Sequence, residues 1–340
     1  MSHQQLISTT NESVMISSIK NIQGMRKRCL VLGGLGFIGT HLVKALLDLG
    51  FKVRCFERPH TNSVMADFFK HPEFELFEGD FSSEADVAEA IKNCDFCYHL
   101  VSTTLPKSSN LDPVFDVESN LIGTIRLLQH AVDNGVQKVI FISSGGTVYG
   151  TPMELPIPEN HLTDPTCSYG ITKLAIEKYF ALFHHLHGLD YTVLRLANPY
   201  GEGQRTLSQQ GAIAVFLGKI LRGETIEIWG DGSVVRDYIH VSDVVDALLL
   251  SLEPSNGKHL FNIGSGTGHS LNEIISTIED VTHSRAIVNY LDSRVFDIPV
   301  NILDINKAQA LSGWHPKINL VTGIERFYKW LSIDDSWLNK

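Results

Sequence analysis

From Arg28 onward, short apolar runs alternate with stretches of helical spacing, and this alternation constrains the fold more than any other feature of the chain. It predicts strands at 28 to 33, 52 to 57, 74 to 78, 96 to 101, 138 to 144 and 191 to 197. Helices are expected at 37 to 49, 84 to 92, 114 to 134 and 168 to 187. Strands separated by helices return through crossovers, which produces a parallel sheet covered by helices. The expected fold class is therefore α/β, a doubly wound parallel sheet, and 340 residues suffice to bury its large core.

After Asn198-Pro199 the rhythm loosens. A helix at 211 to 222 precedes Thr225-Ile226-Glu227-Ile228-Trp229, then Gly230-Asp231-Gly232 and a second extended run up to Val241. Helices near 242 to 252, 270 to 281, 304 to 312 and 319 to 332 complete a smaller C-terminal α/β lobe. The expected division is a flexible extension over 1 to 24, a parallel α/β domain over 25 to 198, and a smaller lobe over 199 to 340 with segments returning to the sheet.

A formal net charge of -10 leaves no excess of Lys and Arg to neutralise phosphates, which argues against nucleic-acid partners. No apolar run approaches the ~20 residues that span a bilayer, and residues 1 to 24 are too polar for a signal peptide, so a cytoplasmic protein is expected. The five cysteines are an odd, scattered set that suits reduced thiols. Cys94-x-x-Cys97 has no second pair at zinc spacing, and His184, His185 and His187 read as a solvated helix end. No metal is expected.

Gly33-Gly34-Leu35-Gly36-Phe37-Ile38-Gly39 follows the first strand and opens the first helix. Glycines there let a backbone approach a pyrophosphate, and the helix N-terminus supplies unpaired N–H groups, so the turn points to a Rossmann-type dinucleotide site. Glu57 closes the second strand, where a carboxylate accepts from the ribose hydroxyls of NAD and repels a 2′-phosphate. Arg58 beside it suits the phosphate of NADP instead; NAD is favoured. Asp80, after the third strand, is placed for the adenine amino group or for a turn.

Tyr169 and Lys173 stand four residues apart, on one helix face. A phenol titrating near pH ~10 serves as a base at neutral pH only where positive charge stabilises its anion, and Lys173 is placed to supply that charge. Ser143 and Ser144 end the fifth strand ahead of Gly145-Gly146-Thr147-Val148-Tyr149-Gly150.

With these motifs in this order, the chain resembles the extended short-chain dehydrogenase/reductases from Arg28 to Trp330. Arg195-Leu196-Ala197-Asn198-Pro199-Tyr200-Gly201, Trp229-Gly230-Asp231-Gly232 and Arg236-Asp237-Tyr238-Ile239-His240 narrow the resemblance to the nucleotide-sugar epimerase/dehydratase branch, most like the UDP-sugar 4-epimerases. It implies that Tyr169 removes a proton from a sugar hydroxyl while tightly held NAD takes hydride from the carbon and returns it to the other face of a 4-keto intermediate. It further implies that Lys173 binds the nicotinamide ribose and lowers the Tyr169 pKa. The implied cofactor contacts are Gly33, Gly36, Phe37, Ile38, Gly39, Glu57, Arg58, Asp80, Phe81, Leu100, Ser102 and Asn120, with Tyr169 and Lys173. Asn198, Arg236 and Arg294 match positions that grip the nucleotide diphosphate, though the Pro and Gly expected after Arg294 are absent. For Arg236, an ion pair with Asp231 or Asp237 is the plainer alternative.

Two departures from the family pattern matter. Where the family presents Ser or Thr, this chain has Gly145, so the shared hydroxyl must come from Thr147 or Ser144; Thr147, on the turn, is the expected donor. Asn301 falls where the resemblance implies a bulky tyrosine beside the sugar, and the smaller side chain suggests room for a 2-acetamido sugar. Gly146-Thr147 also lacks the acid that a dehydratase places before Val-Tyr-Gly. A 4,6-dehydratase, ranked below an epimerase for that reason, a uronic-acid epimerase or decarboxylase, and a non-catalytic dinucleotide-binding scaffold are the alternatives. Helices 114 to 134 and 168 to 187 carry apolar residues on more than one face (Leu121, Ile125, Leu128; Leu174, Tyr179, Phe180, Phe183), which suggests a homodimer.

Overall fold

The computed structural model describes residues 27–61, 67–208, 210–293 and 298–333. Among these, seven parallel strands form the central sheet. They are β1 (Arg28–Leu32), β2 (Lys52–Glu57), β3 (Phe74–Glu78), β4 (Phe96–His99), β5 (Lys138–Ser144), β6 (Asp190–Leu196) and, from the far end of the chain, β10 (Leu260–Ile263). Their order is β10-β6-β5-β4-β1-β2-β3. Crossovers run one way from β1 and the opposite way from β4, so the crevice between β1 and β4 is the topological switch point, where such sheets receive ligands.

Strand residues alternate between two cores. Cys29, Val31, Val53 and Tyr98 face one, Leu30, Leu32, Cys97 and Phe141 the other. Both faces being buried explains why these strands read as continuous apolar runs. Helices α1 (Phe37–Asp48), α2 (Glu84–Ala90), α3 (Pro113–Asp116), α4 (Gly123–Asp133) and α5 (Ser168–His187) cover the sheet. The expected helix over 114 to 134 is interrupted: Val117–Ile122 forms a π-helical segment between α3 and α4. An extra residue per turn is a local distortion that periodicity does not reveal.

Beyond β7 (Asn198–Tyr200), the chain serves both regions. Helix α6 (Ala212–Arg222), β8 (Thr225–Trp229) and β9 (Val235–His240) lead to α7 (Val241–Leu250), which returns to pack on α1. After β10 come β11 (Gly268–Ser270), α8 (Leu271–Thr282), β12 (Ile287–Leu291), β13 (Val300–Asn301), α9 (Asn306–Ser312) and α10 (Leu320–Leu331). The extended runs on either side of Gly230-Asp231-Gly232 are not partners: β8 pairs with β12, and β9 pairs with β7, β11 and β13. A third core, including Ile213, Leu217, Ile226, Ile274 and Phe327, holds this lobe together.

Candidate active site

The turn after β1 is shaped by glycine where backbone approaches backbone. Gly33 takes φ +82°, and a Cβ on Gly39 would lie 2.1 Å from the Gly33 carbonyl oxygen. A Cβ on Gly34 would meet the Cys55 Sγ at 2.5 Å, which packs the turn onto β2. Glu57, at the tip of β2, accepts from the Leu35 N–H at 2.7 Å, and burial raises its pKa. The open turn, the N-terminus of α1 and a carboxylate one strand away fit a dinucleotide.

The other expected cofactor contacts occupy different environments. Phe37 and Ile38 begin α1, and Arg58 is exposed just beyond β2. Asp80 is exposed and accepts from the Ser82 N–H and hydroxyl at 2.8 and 2.7 Å; these bonds lower its pKa. The Phe81 ring is buried, 5.1 Å from the His99 ring, so this side chain belongs to the core. Leu100 continues β4 through its N–H to the Leu32 carbonyl at 3.1 Å, beside Gly33.

Asn120 lies in the π-helical segment, buried. Its oxygen accepts from the Thr103 N–H at 2.9 Å, and its Nδ2 donates to the Asp116 Oδ1 at 3.0 Å. It thereby ties the segment carrying Ser102 to the helix. π turns of this kind recur at functional sites.

Helix α5 carries Tyr169 and Lys173. Its N-cap, Cys167, makes no side-chain capping bond; Asn110 Oδ1 and Ser109 Oγ accept instead from the N–H groups of Ser168 and Tyr169, at 2.9 and 3.0 Å. The helix start is therefore held from outside, which orients Tyr169. A hydrogen bond from Ser102 favours the Tyr169 anion, but burial outweighs it and pushes the phenol up to about 12. Lys173 is buried, donates to the Ile142 carbonyl at 3.0 Å and sits 5.6 Å from the Tyr169 ring centroid. Burial draws Lys173 down to about 8, against the pull of Asp116 and Glu177. Desolvation is the first cause of the shift in both groups.

The hydroxyls at the end of β5 separate into different roles. Ser143 donates to buried Glu177, which is paired with Arg195 at 2.6 Å, so Ser143 belongs to the scaffold. Ser144 is half-buried, and its carbonyl accepts from Thr147 and Val148. The Thr147 hydroxyl, expected on an exposed turn, is instead a buried oxygen without a hydrogen-bond partner. Thr147 packs against Gly170, where a Cβ would come within 2.9 Å of the Thr147 carbonyl oxygen. A buried polar atom without a partner is costly, and one beside the Tyr169 helix is ready for a ligand. Gly145 has a packing reason: its Cβ would meet Leu303 Cδ1 at 2.6 Å. The link between positions 145 and 303 carries no local sequence signal.

Asn198 and Arg236 line one cleft of about 270 Å³ with Trp229, Glu227, Tyr238 and the start of α6. The Asn198 Nδ2 donates to the Asp237 carbonyl at 2.8 Å. Arg236 Nη1 donates to the carbonyls of Val235 and Ile298 at 2.8 and 2.7 Å. Asp237 accepts instead from Ser265, Gly266 and Leu303. Asn301 pairs with Arg236 across β13 and β9, is buried, and donates to the Gly145 carbonyl at 3.3 Å, while its Oδ1 has no partner. Arg294 lies outside the described residues. Sequence reasoning missed Asp116, Glu177, Leu303 and Trp229 at this site; only the spacing of Asp116 four residues before Asn120 hinted at a shared helix face.

The apolar helix residues are distributed differently from expectation. Leu128, Phe180 and Phe183 are buried in the core, while Leu111, Val114, Ile171 and Leu186 are 82%, 66%, 56% and 61% exposed. Where a helix is apolar on several sides, contact with the sheet decides which side is inside. Among the described residues no helix is long and apolar enough to cross a membrane.

Residues 29–264 match the NAD dependent epimerase/dehydratase family. A putative UDP-glucose 4-epimerase of Methanocaldococcus jannaschii is 35% identical over 307 residues, spanning 89% of this chain and 97% of the relative. The crystal structure of a Thermotoga maritima UDP-glucose 4-epimerase with UDP-glucose superposes with a TM-score of 0.84 at 34% identity, covering 90% of this chain and 99% of that one. A UDP-N-acetylglucosamine 4-epimerase from Methanobrevibacter ruminantium M1, in complex with UDP-N-acetylmuramic acid, gives 0.85 at 31% identity, covering 90% and 98%. These likenesses establish that the chain is an enzyme belonging to the NAD dependent epimerase/dehydratase family, with NAD as its cofactor.

Proposed function

We propose that this enzyme interconverts the C4 epimers of a UDP-linked hexose or 2-acetamidohexose through a transient 4-keto sugar. The observation that carries this reading is the Thr147 hydroxyl, buried and unpartnered against the helix of Tyr169 and Lys173. NAD, when bound, supplies a hydride acceptor and a positively charged ring. Tyr169 takes the proton of the 4-hydroxyl, Thr147 holds that oxygen in line, and Lys173 contributes the charge that favours the phenolate. Asn198 and Arg236 grip the diphosphate, a dianion suited to forked donors. With Gly146-Thr147 ahead of Val148-Tyr149-Gly150, that position offers no acid to expel a hydroxyl, which favours epimerisation over dehydration.

The test uses purified protein, UDP-glucose and UDP-N-acetylglucosamine, without added cofactor, followed by proton NMR. Approach to one mixture of C4 epimers from either side is expected; unchanged sugar or loss of water overturns the proposal. The partner-free oxygen of enclosed Asn301 supports the 2-acetamido substrate. A tyrosine there must extend toward the sugar, so Asn301→Tyr is expected to abolish turnover of the acetylated substrate while leaving the plain hexose within about threefold. Loss of both, or of neither, removes Asn301 from specificity.

We propose further that two copies associate through the exposed apolar residues of the segment at 111–122 and of α5. Light scattering is expected to give about twice the chain mass of 37.8 kDa; a monomer refutes this.

A further inference from the structure

We propose that Asp116 is a positioning residue for the reaction, acting on Tyr169 and Lys173 through the hydroxyls of Ser168 and Thr172 and on the Ser102 segment through Thr104 and Asn120. The inference deepens the reading of Tyr169 and Lys173 as the reacting pair and rests on it. Asp116 ends α3, immediately before the π-helical segment, and is 0% exposed. Its Oδ2 accepts from the Ser168 and Thr172 hydroxyls at 2.7 and 2.8 Å, the residues directly preceding Tyr169 and Lys173. Its Oδ1 accepts from the Thr104 hydroxyl and, at 3.0 Å, from the Asn120 Nδ2. Ser102 Oγ donates to the Thr104 carbonyl at 3.1 Å, and Ser102 is an influence that lowers the Tyr169 pKa. One carboxylate thus holds both the helix that presents the phenol and the segment that carries Ser102.

A purely structural link would not need a charge. Neutral asparagine accepts on one side and donates on the other, and the two hydroxyls can turn to receive it. A buried carboxylate costs free energy that a neutral group avoids, so its placement calls for a use of the charge. The charge acts on Lys173, whose ammonium it favours, and also on Tyr169, whose pKa it raises. The titratable groups acting on or near Lys173 are Asp116 from α3, Glu177 and Tyr169 from its own helix, and His99 from β4. His99 is held neutral by burial and by the Lys173 charge, and Glu177 is committed to Arg195 and Ser143. Asp116 is the larger of the two carboxylate influences that favour the Lys173 ammonium. Removing its charge lets the amine lose its proton at lower pH.

The test compares wild type with Asp116→Asn in two measurements. NMR of protein carrying carbon-13 lysine, with Lys173→Arg identifying the signal, is expected to show Lys173 titrating about one pH unit lower in the variant. Turnover is expected to fall about twofold at pH 7 and about tenfold at pH 9, with KM within twofold, as the alkaline limb of kcat moves down by the same unit. An Asp116→Asn protein with wild-type titration and pH profile overturns the proposal, even if its melting temperature falls. Should Asp116→Asn fail to fold, Ser168→Ala and Thr172→Val each remove one donor and leave the carboxylate. Both are expected to lower kcat several-fold at unchanged KM, and wild-type kcat in both overturns the proposal. The lysine titration is read without turnover, so it distinguishes failure of this inference from failure of the catalytic reading, which Tyr169→Phe tests.

Discussion

Tyr169→Phe is expected to lower kcat about a thousandfold, within the range over which a positioned acid or base accelerates a reaction. The substitution removes one oxygen from a half-buried ring and leaves the Asn110 and Ser109 caps on the helix start in place. Melting temperature and cofactor content should therefore stay at wild-type values, and KM should change little, because the ring still fills its place. Retention of more than a tenth of wild-type kcat removes Tyr169 from the chemistry. The wild-type pH profile supplies a second check. Tyr169 in the protein alone is pushed up to about 12, so its phenol is neutral at pH 7. Positive charge must make up the difference. Lys173, drawn down to about 8, carries its proton below that pH and loses it above, so kcat is expected to decline as pH rises through about 8. A rate that keeps climbing through pH 10 would contradict the dependence on the ammonium.

Gly39→Ala is expected to weaken NAD binding about 100-fold and to lower the melting temperature. The added Cβ would stand 2.1 Å from the Gly33 carbonyl oxygen and 2.7 Å from the Gly34 Cα. Both obstacles are backbone, so no side chain can swing aside; the turn must open, at about 1–3 kcal/mol for forcing an extra methyl into packed surroundings. At ~1.4 kcal/mol per factor of ten, a displaced turn that also loses N–H contacts to the pyrophosphate accounts for the expected loss. Gly36→Ala is a graded comparison, because its Cβ meets the same oxygen at 3.2 Å. That contact is tight rather than impossible, so the fold should survive Gly36→Ala while cofactor affinity still falls. Calorimetric titration with NAD measures both. Wild-type affinity in Gly39→Ala would mean that this turn is not the pyrophosphate cradle.

Much of the site could be read before any coordinates because its determinants are local. A glycine run between an apolar strand and a helix specifies a turn, and Tyr169 and Lys173 share a helix face through the geometry of one turn. What escaped the reading depends on partners distant in sequence. The sequence favours Thr147 over Ser144 by its place on the turn, but only packing against Gly170 leaves the Thr147 oxygen buried and without a partner. Gly145 looks like a lost catalytic group until Leu303 is seen to occupy the space of a Cβ. Asp116 reads as an ordinary acidic helix residue until four donors from three segments converge on it.

Residue order alone determined the parallel α/β sheet, the glycine turn after β1 and the shared helix face of Tyr169 and Lys173, because apolar periodicity and short spacings act within a few residues. Tertiary structure alone decided that β10 closes the edge of the sheet, that β8 seeks β12 rather than β9, and that desolvation lifts Tyr169 while drawing Lys173 down. Burial and strand pairing are properties of the whole packed chain: a carboxylate or an amine has no particular pKa until the segments around it have excluded water and brought its counter-charges near.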